Sequence, residues 1–292
     1  MKRAYYPGCS PKSTTREADY VSRKVITRFG VELVELEGAA CCGAGEIRST
    51  HPDIFSSLNA RTLAMAEKLG LDVITICATC QLNLAEVNKR IKEDQKVSDH
   101  VNQILSECDM KYGGGVEVKH LLWFLLDEIG PAKIVSEISR PLSSLRVAPF
   151  YGCHMLRPVE LLGFDDPDSP TSLKRFIEIC GAEAVDCDGK TKCCGFHNVA
   201  SNSKLACQLT GSYLEEATAM QADCIVTPCP LCFTMFDGYQ KESGKLLGKT
   251  FHIPVFHIAQ LLGMAMGMTW RDLMLERHII SPKGLFEKLG WV

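Results

Sequence analysis

Ten of the fifteen cysteines in this 292-residue chain fall into two sets built to one design. The first set is Cys9, then Cys41-Cys42-Gly43, then Cys77-Ala78-Thr79-Cys80; the second is Cys153, then Cys193-Cys194-Gly195, then Cys229-Pro230-Leu231-Cys232. The gap between the CCG triplet and the CxxC pair is 33 residues both times, 44–76 and 196–228. The flanks agree as well: Tyr6-Pro7-Gly8-Cys9 matches Phe150-Tyr151-Gly152-Cys153, and Asp72-Val73-Ile74-Thr75 matches Cys224-Ile225-Val226-Thr227. Such self-similarity means a duplicated module, and it constrains the architecture before any local reading does. The join falls near Ser139–Leu145. Two domains are therefore expected, residues 1–142 and 143–292, the second carrying a helical C-terminal tail.

Hydrophobic patterning places the motifs. Strands are predicted at Lys2–Tyr6, Val31–Leu36, Asp72–Ile76 and Val116–Lys119, and in the second half at Arg146–Tyr151, Cys224–Thr227 and Pro254–Phe256. Helices are predicted at Thr15–Phe29, Pro52–Leu69, Gln81–Ile91, Val97–Glu107 and His120–Ile129. The second half repeats them at Ser172–Ile179, Ser203–Met220, Leu231–Gln240 and Ile258–Met266. Strands alternating with helices give an α/β fold: two tandem Rossmann-like units related by pseudo-twofold duplication, each a parallel sheet flanked by helices. Cys9, Cys41-Cys42 and Cys77 each follow the carboxyl end of a strand, where the loops of an open parallel sheet converge on a crevice. Adjacent cysteines in extended chain point to opposite faces, so bringing both to one point needs a sharp turn. Gly43 and Gly195 supply a backbone free to make it.

Packing alone has no reason to choose sulfur twice at matching gaps. It suffices for the five cysteines outside the pattern, Cys108, Cys180, Cys187, Cys207 and Cys224, which read as small buried hydrophobes. Structural zinc suits the CxxC pairs but takes four ligands and leaves one cysteine over in each set. A redox dithiol explains only two of the five. An ordinary [4Fe–4S] cube takes four cysteines, commonly closely spaced. Five per site imply a bridging thiolate or an unusual cluster, and the count leaves both open.

The doubled pattern C-x31-CCG-x33-CxxC and its longer-gapped twin resemble the CCG-domain family, and the chain as a whole resembles its heterodisulfide reductase B-type members. The resemblance implies two noncubane [4Fe–4S] clusters, one held by Cys9, Cys41, Cys42, Cys77 and Cys80, the other by Cys153, Cys193, Cys194, Cys229 and Cys232. It implies a cytoplasmic iron–sulfur subunit that reduces the coenzyme M–coenzyme B mixed disulfide in methanogenesis, one electron from each cluster. The implied partners are the reductase's ferredoxin-like iron–sulfur C-type subunit and its flavin-containing A-type subunit, with a hydrogenase or formate dehydrogenase behind them. The family also includes subunits of glycolate and lactate dehydrogenases, thiol:fumarate reductase and sulfur-oxidising enzymes, which keeps an electron-relaying role open. Many of those fuse the module to a CxxCxxCxxxCP run, and this sequence has none.

The flanks differ between the halves. Ser10 follows Cys9 but His154 follows Cys153, and Ala44-Gly45-Glu46 stands where Phe196-His197 follows the second CCG. His154 and then His197 are the candidate proton donors, since imidazole titrates near neutral pH. Lys12, Arg16, Arg48, Arg157, Lys190 and Lys192 lie near the motifs and read mainly as solvated surface charge. A net charge of −3 leaves no nucleic-acid footprint. There is no apolar leader after Met1 and no membrane span; the tract Ile253–Met268 is short and broken by Pro254, Gly263 and Gly267. No GxGxxG element marks a flavin or nicotinamide site, so electrons are expected from a partner. The segment Thr269–Val292, with Trp270 and Trp291, reads as a C-terminal packing helix or a docking element.

Overall fold

The computed structural model describes residues 1–291. Two four-stranded sheets organise it. The first contains β1 (Lys2–Tyr6), β2 (Glu32–Glu35), β3 (Val73–Thr75) and β4 (Val118–His120); the second contains β5 (Arg146–Pro149), β6 (Glu183–Ala184), β7 (Cys224–Thr227) and β8 (Val255–His257). Their strand orders are β2-β1-β3-β4 and β6-β5-β7-β8, with every pairing parallel. The same topology twice, in chain order, is the structural form of the repeat.

The central strands β3 and β7 are buried along their whole length, as expected of parallel strands covered by helices on both faces. The covering helices present small and apolar residues three and four apart. In Pro52–Lys68, which opens with proline at its first turn, Phe55, Asn59, Ala60, Leu63 and Ala64 face inward. Helix Gln95–Ser106 is started by the Asp94 carboxylate, which accepts from the amides of Lys96 and Val97.

Three departures from the sequence reading bear on the site. The helix expected from His120 starts one residue later, because His120 closes β4; its second part, Phe124–Ile129, widens into π-helical turns ending at Gly130. The helices after the CxxC positions begin at Ala78 and Pro230, so Cys80 and Cys232 sit in a first turn, and the second of these helices ends at Gly238 before a new one, Gln240–Leu247. The two-residue strand β6 had no pattern long enough to read.

The C-terminal segment is a short 3₁₀ turn, Leu275–Arg277, and a six-residue helix, Lys283–Lys288, rather than one long helix. Trp270 and Trp291 both pack against Phe286, with ring centroids 5.3 and 5.5 Å away. This segment also ties back to the first half: Asp272 pairs with Lys24 at 2.6 Å and Arg277 with the buried Glu17 at 2.8 Å. Among the described residues no helix is long and apolar enough to cross a membrane.

Candidate functional site

Each half gathers its patterned cysteines at the carboxyl edge of its sheet. In the first half the Cys9 and Cys41 sulfurs stand 3.3 Å apart and those of Cys42 and Cys80 3.6 Å apart. All are free thiols. Glycines make the approach possible: Gly8 has φ +91°, and a Cβ there would lie 2.9 Å from the Cys80 sulfur; Gly152, at φ +72°, would meet Cys232 at 3.1 Å. The CCG turns use Gly43 at φ +84° and Gly195 at φ +96°, as the adjacent cysteines require. Asn59 and Asn83 hold the first turn by donating to the Cys42 carbonyl at 3.0 and 3.3 Å, and the Asn83 amide also reaches the Cys42 sulfur at 3.4 Å. In the second half Thr210 donates to the Cys194 carbonyl at 2.8 Å.

The two edges face each other. Cys77 and Cys229 bring their sulfurs to 3.9 Å across the junction of the halves. A small cleft beside them is lined by Thr79, Cys153, His154, Cys193, His197 and Cys229 among others. Both histidines come from the second half, and both reach across. The His154 Nδ1 is hydrogen-bonded to Thr79 Oγ1 at 3.0 Å. The His197 ring fills the room left by Gly45, whose Cβ would sit 3.1 Å from Nδ1. Counted from the CCG triplets, Gly45 and His197 are equivalent positions, and the ring of one occupies the space the other leaves open. The rings lie 5.3 Å apart. Burial, and then the neighbouring His197, lowers the pKa of His154.

Crowding splits the acidities of the thiols. Hydrogen bonding to Cys42 and Cys9 pulls Cys41 down to about 2, and hydrogen bonding to Cys153 and Cys194 does the same to Cys193. Their neighbours Cys9 and Cys153 are pushed up, chiefly by those same bonds and then by burial. Five thiolates at these separations repel one another unless a positive centre neutralises them. The donor set is soft sulfur throughout, which selects zinc, copper(I) or iron–sulfur centres over hard cations. Among the described residues no three His, Cys, Asp or Glu side chains converge closely enough to hold a single ion. Thiols spread over three loops fit a larger centre, and the residues present fit an iron–sulfur group.

Four of the six basic sequence candidates are engaged in ion pairs. Lys12 pairs with Glu35, Arg48 with Glu86, Arg157 with Asp168 and Lys190 with Asp186. Of the five unpatterned cysteines, four are buried as expected, but Cys108 is exposed at the end of its helix. Two buried histidines escaped the sequence reading. His120 and His257 close β4 and β8 and point Nε2 at the carbonyls just before the CxxC motifs: His120 at Pro228 (2.9 Å), His257 at Ile76 (3.1 Å) and Pro228 (3.3 Å). Their signal was present as a second repeat, Val118-Lys119-His120-Leu121 and Val255-Phe256-His257-Ile258.

A doubled parallel sheet with a thiol-lined edge on each copy defines a class of scaffold, the tandem cysteine-rich α/β protein. The cysteine-rich CCG domain model matches residues 3–85 and 147–237, and the chain belongs to that family. The 8-methylmenaquinol:fumarate reductase membrane anchor subunit of Wolinella succinogenes is 36% identical over 97% of this chain and 98% of its own length. The B subunit of the ferredoxin/F420H2-dependent CoB–CoM heterodisulfide reductase from Methanosarcina acetivorans is 32% identical over 96% and 94%. A protein from Archaeoglobus profundus described as like the heterodisulfide reductase B subunit is 30% identical over 97% and 100%. The crystal structure of a hypothetical protein from Helicobacter pylori shares the fold, with a TM-score of 0.77 at 14% identity over 96% of this chain and 52% of that one.

Proposed function

We propose that this chain is the iron–sulfur subunit of a multisubunit oxidoreductase, holding two [4Fe–4S] clusters that face one two-electron reaction at the junction of its halves. The observation that carries this reading is the approach of Cys77 to Cys229, which sets the two thiol sets side by side. Cys9, Cys41, Cys42, Cys77 and Cys80 would hold one cluster; Cys153, Cys193, Cys194, Cys229 and Cys232 would hold the other. With five thiols each, a noncubane form is favoured. When bound, such clusters supply single electrons. A disulfide takes up two electrons and two protons as its S–S bond breaks, giving two thiols, so two one-electron centres flanking one bond match the stoichiometry. The reductant comes from a partner, in the manner of the ferredoxin-like and flavin-containing subunits of the disulfide reductases this chain resembles. His154, oriented by Thr79, holds a proton at the cleft.

The substrate this favours is a heterodisulfide of the coenzyme M–coenzyme B type. A second reading, electron relay between a quinol and a fumarate-reducing partner, is favoured by the 36% identity to the Wolinella protein, higher than that to either heterodisulfide reductase relative named above. The test is metal and sulfide analysis of anaerobically purified protein, followed by titration with the disulfide. About eight irons and eight acid-labile sulfides per chain are expected. Near-zero iron with one or two zincs overturns the cluster reading. Cluster spectra altered by the heterodisulfide support disulfide reduction; unaltered spectra, with fumarate-dependent reoxidation in the assembled complex, support the relay.

A further inference from the structure

The last strands of the two sheets both end in a buried histidine, and each imidazole reaches out of its own half. Nδ1 of His120 accepts from the Leu122 amide at 3.0 Å, and Nδ1 of His257 from the Ala259 amide at 3.3 Å. With Nδ1 occupied as an acceptor, the proton of a neutral ring sits on Nε2. In its own sheet His120 stands beside Thr75, and His257 beside Thr227. Their shortest Nε2 bonds nevertheless cross: His120 donates to the Pro228 carbonyl at 2.9 Å and His257 to the Ile76 carbonyl at 3.1 Å, with a longer contact from His257 to Pro228 of its own half at 3.3 Å.

Those carbonyls belong to the peptide units that lead into Cys229 and Cys77. The amide side of each unit is held from its own half, by Thr227 Oγ1 at 3.4 Å and Thr75 Oγ1 at 3.5 Å. A peptide unit is planar, so fixing both its N–H and its oxygen fixes its tilt, and that tilt aims the following Cα–Cβ bond. We propose that His120 and His257 are positioning residues acting crosswise, each holding the CxxC cysteine of the opposite half in its ligating orientation. The thiol set of one half is thus completed by an imidazole of the other. This rests on the reading of Cys77 and Cys229 as ligands.

The test uses the full chain with His120→Leu and His257→Leu, together with His120→Gln and His257→Gln, which keep a neutral side-chain N–H. Thiols of the chelator-stripped protein are alkylated with iodoacetamide under native conditions and located by peptide mass spectrometry. His257→Leu is expected to speed labelling of Cys77 about tenfold, more than that of Cys229, the scale set by leaving a buried carbonyl without its donor. His120→Leu reverses the order by a smaller factor, because His257 still reaches the Pro228 carbonyl. The Gln variants, which retain a donor and the fold, follow the same crosswise order with smaller changes. On iron-loaded samples, the reduction potential of the centre in the half opposite the substitution shifts more than that of its own half. Same-half effects, or equal acceleration at all ten patterned cysteines, overturn the proposal. Crosswise labelling in a chain that binds no iron leaves the brace standing and sinks the cluster reading.

Discussion

Cys77 and Cys229, separated by 152 residues in sequence, face each other at 3.9 Å across the junction of two sheets that share no strand. Both follow an inner strand of their sheet, which lies beside the histidine-terminated strand in each half. On the proposed function the reactive region is shared by the halves, and substitutions on either side are expected to act on one centre of chemistry.

Cysteines inside and outside the repeat should separate cleanly. Cys42→Ser or Cys194→Ser is expected to remove about half of the bound iron, since an alcohol is a poor ligand for a soft centre. Cys207→Ser and Cys108→Ser should leave iron and absorption spectra unchanged, although the first is buried and the second exposed. Iron analysis of the four proteins decides it, and iron loss in either of the last two redraws the ligand set.

His154→Gln should slow disulfide turnover at least about a hundredfold, the lower scale of a positioned general acid. Iron content should not change, because the side chain is bonded to Thr79 rather than to the thiols. Steady-state assays with an artificial donor, with iron measured on the same sample, make the comparison. Turnover within twofold of the parent assigns the proton to water.

Burial between Phe233 and Phe256 pushes His278 down to about 4, and its Nδ1 has no partner. Unfolding returns the ring to its ordinary pKa near 6.5, so below that pH the unfolded chain binds the extra proton. The contribution of neutral His278 to stability is complete above about pH 6.5 and is lost as the pH falls toward 4. Relative to His278→Asn, the parent is expected to lose about 1.4 kcal/mol per pH unit between pH 6 and 5. Denaturant midpoints of the two proteins across that range measure it; parallel profiles would refute it.

Two glycines with positive φ should respond differently to alanine. At Gly195 the new Cβ would lie 2.6 Å from the Ala206 carbonyl oxygen, on a backbone at φ +96°. Strain and overlap together are expected to cost about 3 kcal/mol and to disturb the second thiol set. At Gly248, with φ +65° and nothing within 4 Å, the cost should be about 1 kcal/mol. Equal losses in thermal unfolding would contradict this account.

The cysteine repeat made the topology legible because thiol spacing in a parallel sheet reflects strand spacing: three loops at one edge, twice. Gly43 and Gly195 were legible for the same reason, since two adjacent ligands demand a turn. Thr79 was not. Its partner His154 lies 75 residues away, and nothing local distinguishes that threonine from Leu231 at the matching position of the second half. His120 and His257 were hidden differently, because apolar periodicity assigned His120 to a helix whose first turn it only caps. Cys108 was misplaced since cysteine's tendency to be buried says nothing about a residue just past a helix end.

The crosswise histidine bonds also bear on the origin of the molecule. A single half standing alone would carry one imidazole N–H and one peptide oxygen without the partner the other half supplies. Two identical copies meeting face to face would satisfy both at once. The crosswise bonds are those a symmetric pair would make, and joining two copies into one chain frees each from having to serve both roles. One half can then carry His197 where the other keeps Gly45, which leaves room for the ring.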